Sequence, residues 1–340
     1  MSSEVRITQE EQNYLKSIEL LGEQIGQAYQ ESKSLKFPKT YSQVNQIVTC
    51  GMGGSQLGVD VLRHLFGKNL KIPLIQVRGY SLPKFVDQKT LVFLLSYSGS
   101  TEEVLSMAKE AIKLKAKCIV ISVGGKLKKI IEKNHLPAYI FNPINNPSGQ
   151  PRMGQGYLLG SILAILKNLR LLEVTDNQLN KMCPIQCPMS KLELNKLSLK
   201  LKNKIPVIIA SEYLQGCAHV MSNQINESSK QYAVYYSIPE INHHLMEGLT
   251  FPKENKKLLH FLFFNSTDYH PRNQKRYQIT QQVLTKQKIS YTQLEFKGDR
   301  VAQALAMLSL GSYLSYYLSK INKVNPNAIP WVNFFKSKMK

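Results

Sequence analysis

The chain has 340 residues, 43% of them hydrophobic, and a formal net charge of +21; that is enough sequence for two ordinary globular domains, each with its own core. Its longest apolar runs, 91–95 and 258–264, fall far short of the ~20 residues that a membrane-spanning helix needs, and residues 1–11 lack the basic start and apolar run of a secretion signal. The lysines are spread out, clustering at 126–133, 196–204 and 253–257 without an aromatic-and-basic motif, so the charge fits attraction of phosphate dianions, or a plain solvated surface, better than nucleic-acid binding.

In chain order, residues 9–31 read as one amphipathic helix, with Leu15, Ile18, Leu21 and Ile25 recurring at helical spacing. Short apolar strands follow at 46–50, 74–77, 91–95, 118–123 and 138–141. They alternate with helices at 57–66, 102–114 and 127–132, and a long apolar helix covers 157–172. The stretch 176–196 is polar, contains Pro184 and Pro188, and reads as a linker. Beyond it, strands at 207–210, 258–264 and 291–296 alternate with helices at 217–233, 271–286 and 301–319. Such alternation implies an α/β fold in two copies, each a mainly parallel sheet flanked by helices. The expected domains are 1–175, including the leading helix, and 197–340.

Two loops carry chemistry. Gly51-Met52-Gly53-Gly54-Ser55 joins a strand to a helix, where glycines permit close backbone approach and the helix N-terminus offers unpaired N–H groups to an anion. A dinucleotide fingerprint would need a third glycine where Gln56 stands, and an acidic residue about 20 positions on; Asp60 is too near and Asp87 too far. The second loop, Ser96-Tyr97-Ser98-Gly99-Ser100-Thr101-Glu102, puts four hydroxyls and a glycine at the start of the next helix. One helix cap needs one hydroxyl, so the surplus points to phosphate binding.

The five cysteines, Cys50, Cys118, Cys183, Cys187 and Cys217, form no framework and are expected as reduced thiols in a cytoplasmic protein. Cys183 and Cys187 lack the second pair or nearby histidine that would complete a zinc site, so no metal is expected.

With these loops in place, the sequence resembles the sugar isomerase (SIS) domain family. More closely, it is similar to the bifunctional phosphoglucose/phosphomannose isomerases, a two-SIS-domain branch of the phosphoglucose isomerase superfamily. The resemblance spans about residues 40–340. Its short elements come in order: 51–55, Arg78-Gly79-Tyr80, 96–103, Gly149-Gln150-Pro151-Arg152, Asn226-Glu227, Pro239-Glu240-Ile241-Asn242-His243, and Lys336 near the C-terminus. It implies that Gly54, Ser55, Ser96, Ser98 and Thr101 contact a hexose 6-phosphate substrate, mainly at its phosphate. Arg152 would stabilise an enediolate and Glu227 would shuttle the proton. His243 would open the sugar ring from the partner subunit of a homodimer, and Lys336 would assist. The sixteen-residue separation of Glu227 and His243 matches the family's spacing. Ser100 departs from the pattern, which usually has Asn there.

Independently of the resemblance, aldose–ketose isomerisation needs a shielded carboxylate as base, a histidine-like group for ring opening and fixed donors for the developing oxyanion. Glu227, His243 and Arg152 supply those types. No cofactor, nucleic acid or membrane is implied. The alternatives are a non-catalytic SIS sensor of sugar phosphates, which would lack the base and usually adds a DNA-binding domain, and a SIS isomerase of another sugar phosphate. The balance between glucose and mannose epimers is open, because Asn327-Ala328-Ile329, in the region that the family links to it, holds no small hydroxyl.

Overall fold

A computed structural model describes residues 7–175, 178, 179, 182 and 185–339. The chain divides into two compact units: Glu19–Pro184, and Met1–Ile18 combined with Ile185–Lys340.

The first unit is built on a five-stranded parallel sheet in the order β2-β1-β3-β4-β5. Its strands are β1 (Gln46–Cys50), β2 (Leu74–Val77), β3 (Thr90–Leu95), β4 (Lys117–Ser122) and β5 (Ala138–Ile140). All six residues of β3 are buried, as expected of a central parallel strand covered on both faces. Val48, Cys50, Val92, Leu94, Cys118 and Val120 pack against Val104, Met107, Ala108 and Ala111 of the helix Glu102–Lys113. Ile47, Leu91, Phe93, Ile119 and Ile121, alternating with them, are equally buried. We label the helices of this unit α2 (Leu21–Lys33), α3 (Gly54–Phe66), α4 (Glu102–Lys113), α5 (Gly125–Asn134) and α6 (Gln155–Asn168). In α6 every residue from 155 to 166 is buried.

The second unit repeats the design with four parallel strands in the order β7-β6-β8-β9: β6 (Ile205–Ser211), β7 (Val234–Ile238), β8 (Leu259–Ser266) and β9 (Ser290–Phe296). Its longer helices are α1 (Gln9–Glu19, of which residues up to Ile18 belong here), α7 (Lys191–Lys200), α8 (Gln215–Gln224), α9 (Pro271–Lys286), α10 (Arg300–Ile321) and α11 (Pro330–Lys338). Asp299 caps α10, accepting from the backbone of Val301 at 3.0 Å and Ala302 at 3.3 Å. Among the described residues no helix is long and apolar enough to cross a membrane.

The structure departs from the sequence reading in three places, and it adds a helix at the C-terminal tail, which the sequence reading left unassigned. The leading helix is two helices that break at Leu20, and the first groups with the C-terminal unit rather than with 19–175. The end of the expected linker is the start of α7, nucleated by a capping box between Ser190 and Glu193. The helix expected at 217–233 stops at Ser229, and β7 follows it as an unforeseen strand. The tail around Lys336 is helical.

Candidate active site

In the first unit, adjacent strands β1 and β3 deliver both hydroxyl loops to one sheet edge, at the N-termini of α3 and α4. This is the carboxyl end of a parallel sheet, where α/β proteins place their ligands. Ser55 Oγ accepts a hydrogen bond from the Tyr97 N–H at 3.0 Å, which ties the two loops together. Ser96 Oγ lies 2.7 Å from Thr101 Oγ1, and Ser98 Oγ accepts from the Ser100 N–H at 3.3 Å. Ser55 and Ser98 thus accept from backbone, which leaves each hydroxyl proton able to donate elsewhere. Ser100 is accounted for locally: its Oγ accepts from the Lys126 N–H at 3.3 Å and so links the loop to α5.

Two glycines set the spacing. Gly99 has φ +69°, and a Cβ there would stand 1.8 Å from the Gly124 carbonyl oxygen, so only glycine fits. A Cβ on Gly54 would lie 3.1 Å from both Pro151 C and Arg152 N. The Arg152 backbone therefore rests against the first hydroxyl loop. Gln56, in the place of the missing third glycine, is buried; it donates to the Thr49 carbonyl at 2.9 Å and accepts from Gln76 at 3.2 Å, plugging the turn.

Arg152 is 1% exposed. It sits in the short helical turn Pro151–Met153 and donates through Nη1 to Gln150 Oε1 at 3.0 Å. Residues that the sequence reading did not single out hold this loop. Gln24 of α2 donates to the carbonyls of Asn145, at 3.0 Å, and Met153, at 2.9 Å. Asn146 donates to the Tyr97 hydroxyl at 2.8 Å and to the Gln150 carbonyl at 3.0 Å. Tyr97 lies inside the quoted loop motif; Gln24 looks like any polar position of an amphipathic helix.

In the second unit, Glu227 lies in a π-turn, Ile225–Ser229, that continues α8. Such turns are rare and concentrate at functional sites. Glu227 is half-buried. Asn226 beside it donates to the carbonyls of Ser222, at 2.8 Å, and Ala233, at 2.7 Å. Lys230 ends the turn in the left-handed region at φ +53°. His243 is exposed, in the helical turn Glu240–His243 beyond β7. Asn242 next to it donates to Thr280 Oγ1 at 2.8 Å.

Because β6 and β7 are parallel, the residues before β7 lie at the starting edge of the sheet and those after it at the carboxyl edge. Glu227 and His243 thus flank opposite ends of one strand. Lys336 is on α11, all of whose residues are exposed, Trp331, Phe334 and Phe335 among them. The structure therefore brings Gly54, Ser55, Ser96, Ser98, Thr101 and Arg152 together within one unit, and it sets Glu227 and His243 apart within the other. Among the described residues no three His, Cys, Asp or Glu side chains converge as a metal site. Cys183 lies outside the described residues, while Cys50, Cys118, Cys187 and Cys217 are free thiols.

Residues 192–339 match the model of the bacterial phospho-glucose isomerase C-terminal SIS domain. A bifunctional phosphoglucose/phosphomannose isomerase of Caldicellulosiruptor bescii is 33% identical over 95% of this chain and 98% of its own length. One from Aquifex aeolicus is 31% identical over 86% and 90%. Among solved structures, a hypothetical protein of Thermus thermophilus superposes with TM-score 0.71 at 17% identity, covering 96% of this chain and 89% of its own; at that identity the likeness shows the shared fold. On these similarities and the two-sheet architecture, the chain belongs to the bifunctional phosphoglucose/phosphomannose isomerase family.

Proposed function

We propose that the chain interconverts glucose 6-phosphate and mannose 6-phosphate with fructose 6-phosphate through an enediolate, as one member of a homodimer. The observation that carries this reading is the cradle of the first unit: two hydroxyl loops tied by Ser55 and Tyr97, with the Arg152 loop packed on Gly54. Hydroxyl protons and the N-termini of α3 and α4 suit a phosphate dianion without a fixed cation beside it.

In this mechanism His243 relays the proton that opens the ring, with Lys336 holding a sugar oxygen. Glu227 then takes the C2 proton of the open-chain aldose. The electron pair moves into a C1–C2 enediolate, whose oxyanion the Arg152 guanidinium stabilises. A proton passes from O2 to O1, and Glu227 returns its proton to C1 as the C2 carbonyl forms, which gives the ketose. For mannose 6-phosphate the other face of C2 meets the same carboxylate after rotation about C2–C3. Free thiols support a reducing, cytoplasmic compartment.

Glu227→Gln keeps the side chain's shape and removes its basicity. It should lower kcat at least about a hundredfold for both epimers, while far-UV circular dichroism and Tm stay unchanged. Near-normal kcat with either epimer would move the base elsewhere, Glu240 first.

A further inference from the structure

We infer that Tyr14, on the leading helix, is a positioning residue for the general base, acting through Ser228. This rests on the reading of Glu227 as that base. Tyr14 is fully buried, and its hydroxyl donates to Ser228 Oγ at 2.6 Å, in the π-turn itself and one residue from Glu227. A π-turn gives up the regular i to i−4 pattern, so its roll about the helix axis needs support from outside. Ser228 has no exposed surface, and Tyr14 comes to it from an element 214 residues away in sequence.

The helix behind Tyr14 is itself firmly seated. The Tyr14 ring stacks on Tyr316 of α10 with centroids 6.1 Å apart. Lys320 pairs with Glu11, and Asn325 donates to Glu10 at 3.0 Å. From the other side, Asn322 of the segment after α10 donates to the Ser229 carbonyl at 3.0 Å. The turn is thus held between α1 and the end of α10. This gives a physical reason for α1 to group with the C-terminal unit: it buttresses the turn that presents Glu227.

Tyr14→Phe removes one hydroxyl and keeps the ring packing. It should lower kcat about tenfold, as a small misplacement of a base does, with KM within about twofold of wild type. The deuterium isotope effect on kcat with glucose 6-phosphate labelled at C2 should rise, because proton transfer becomes more fully rate-limiting. That effect does not depend on the fraction of folded enzyme, so a merely structural role would leave it unchanged. Ser228→Ala should reproduce both changes, and the double variant should be no worse than either single one. Glu11→Gln, which loosens the same helix without touching the turn, should lower Tm and leave kcat and the isotope effect alone.

An unchanged isotope effect in Tyr14→Phe, additive losses in the double variant, or the same rise in Glu11→Gln would each overturn the inference. Glu227→Gln assayed alongside separates the two levels. If it loses kcat while Tyr14→Phe is silent, only this inference falls; if it keeps kcat, the assignment of the base falls and the inference with it.

Discussion

At the scale of single residues, the proposed cradle divides labour within each hydroxyl. Ser96 has no exposed surface, and its oxygen is in contact with Thr101 Oγ1, so the two side chains act as a pair. Replacing both Ser96 and Thr101 by Ala removes donors to a charged group, where each bond is worth roughly 1.5–3 kcal/mol. KM for fructose 6-phosphate should rise at least about tenfold, with a smaller change in kcat, measured by coupled assay of both aldose products. An unchanged KM would take these residues out of the phosphate site. The histidines separate in the same way. His260 lies between Ser290 Oγ and Thr292 Oγ1, each at 2.9 Å, and burial together with Lys204 and Lys200 pushes it down to about 4. It is a neutral structural group, whereas His243 stands in the open.

At the scale of elements, the loops after β3 and β4 interlock at Gly99, so Gly99→Ala should destabilise the unit by about 3 kcal/mol or more. A shift of the urea midpoint to lower concentration would report this, and a midpoint within error of wild type would contradict the packing. Much of the element pattern was legible in the sequence because parallel strands are continuous apolar runs: 46–50, 74–77 and the helix 271–286 fall where they were expected. The failures have physical causes. β7 is an edge strand whose residues are mostly only partly buried, so Val234, Tyr235 and Tyr236 show no clean alternation and fall outside every element read from the sequence. Their β-branched and aromatic character, with Pro239 following, was the available signal. The π-turn has no sequence signature of its own. Residues 223–232 are a polar patch in an otherwise apolar helical stretch, which marks the position of the turn but not its geometry. For the site, motif loops pointed to the proposed cradle residues and Arg152, whereas Gln24 bonds to the distant carbonyls of Asn145 and Met153 and Tyr14 to Ser228, contacts that no local spacing records.

At the scale of the whole molecule, the placement of Glu227 and His243 bears on assembly. They flank opposite ends of β7, a five-residue strand with a rise of roughly 3.3 Å per residue. A base and a ring-opening group must both touch one sugar, which a second copy can arrange by offering its own His243 at the first copy's site. The exposure of His243, and of an aromatic helix bearing Lys336, suits such an arrangement, since a patch of that kind on a lone chain is usually covered by a partner. Glu227→Ala and His243→Ala proteins should each be inactive alone. After mixing and subunit exchange, half of the dimers carry one chain of each kind. If His243 acts across the interface, each mixed dimer has one complete site of two, and activity returns to about a quarter of wild type. If His243 serves its own chain, every site in the mixture lacks either base or histidine, and nothing returns. Mass-tagged chains would establish that exchange took place; exchange without recovery would refute a shared site, and a monomer in sedimentation would refute the dimer itself.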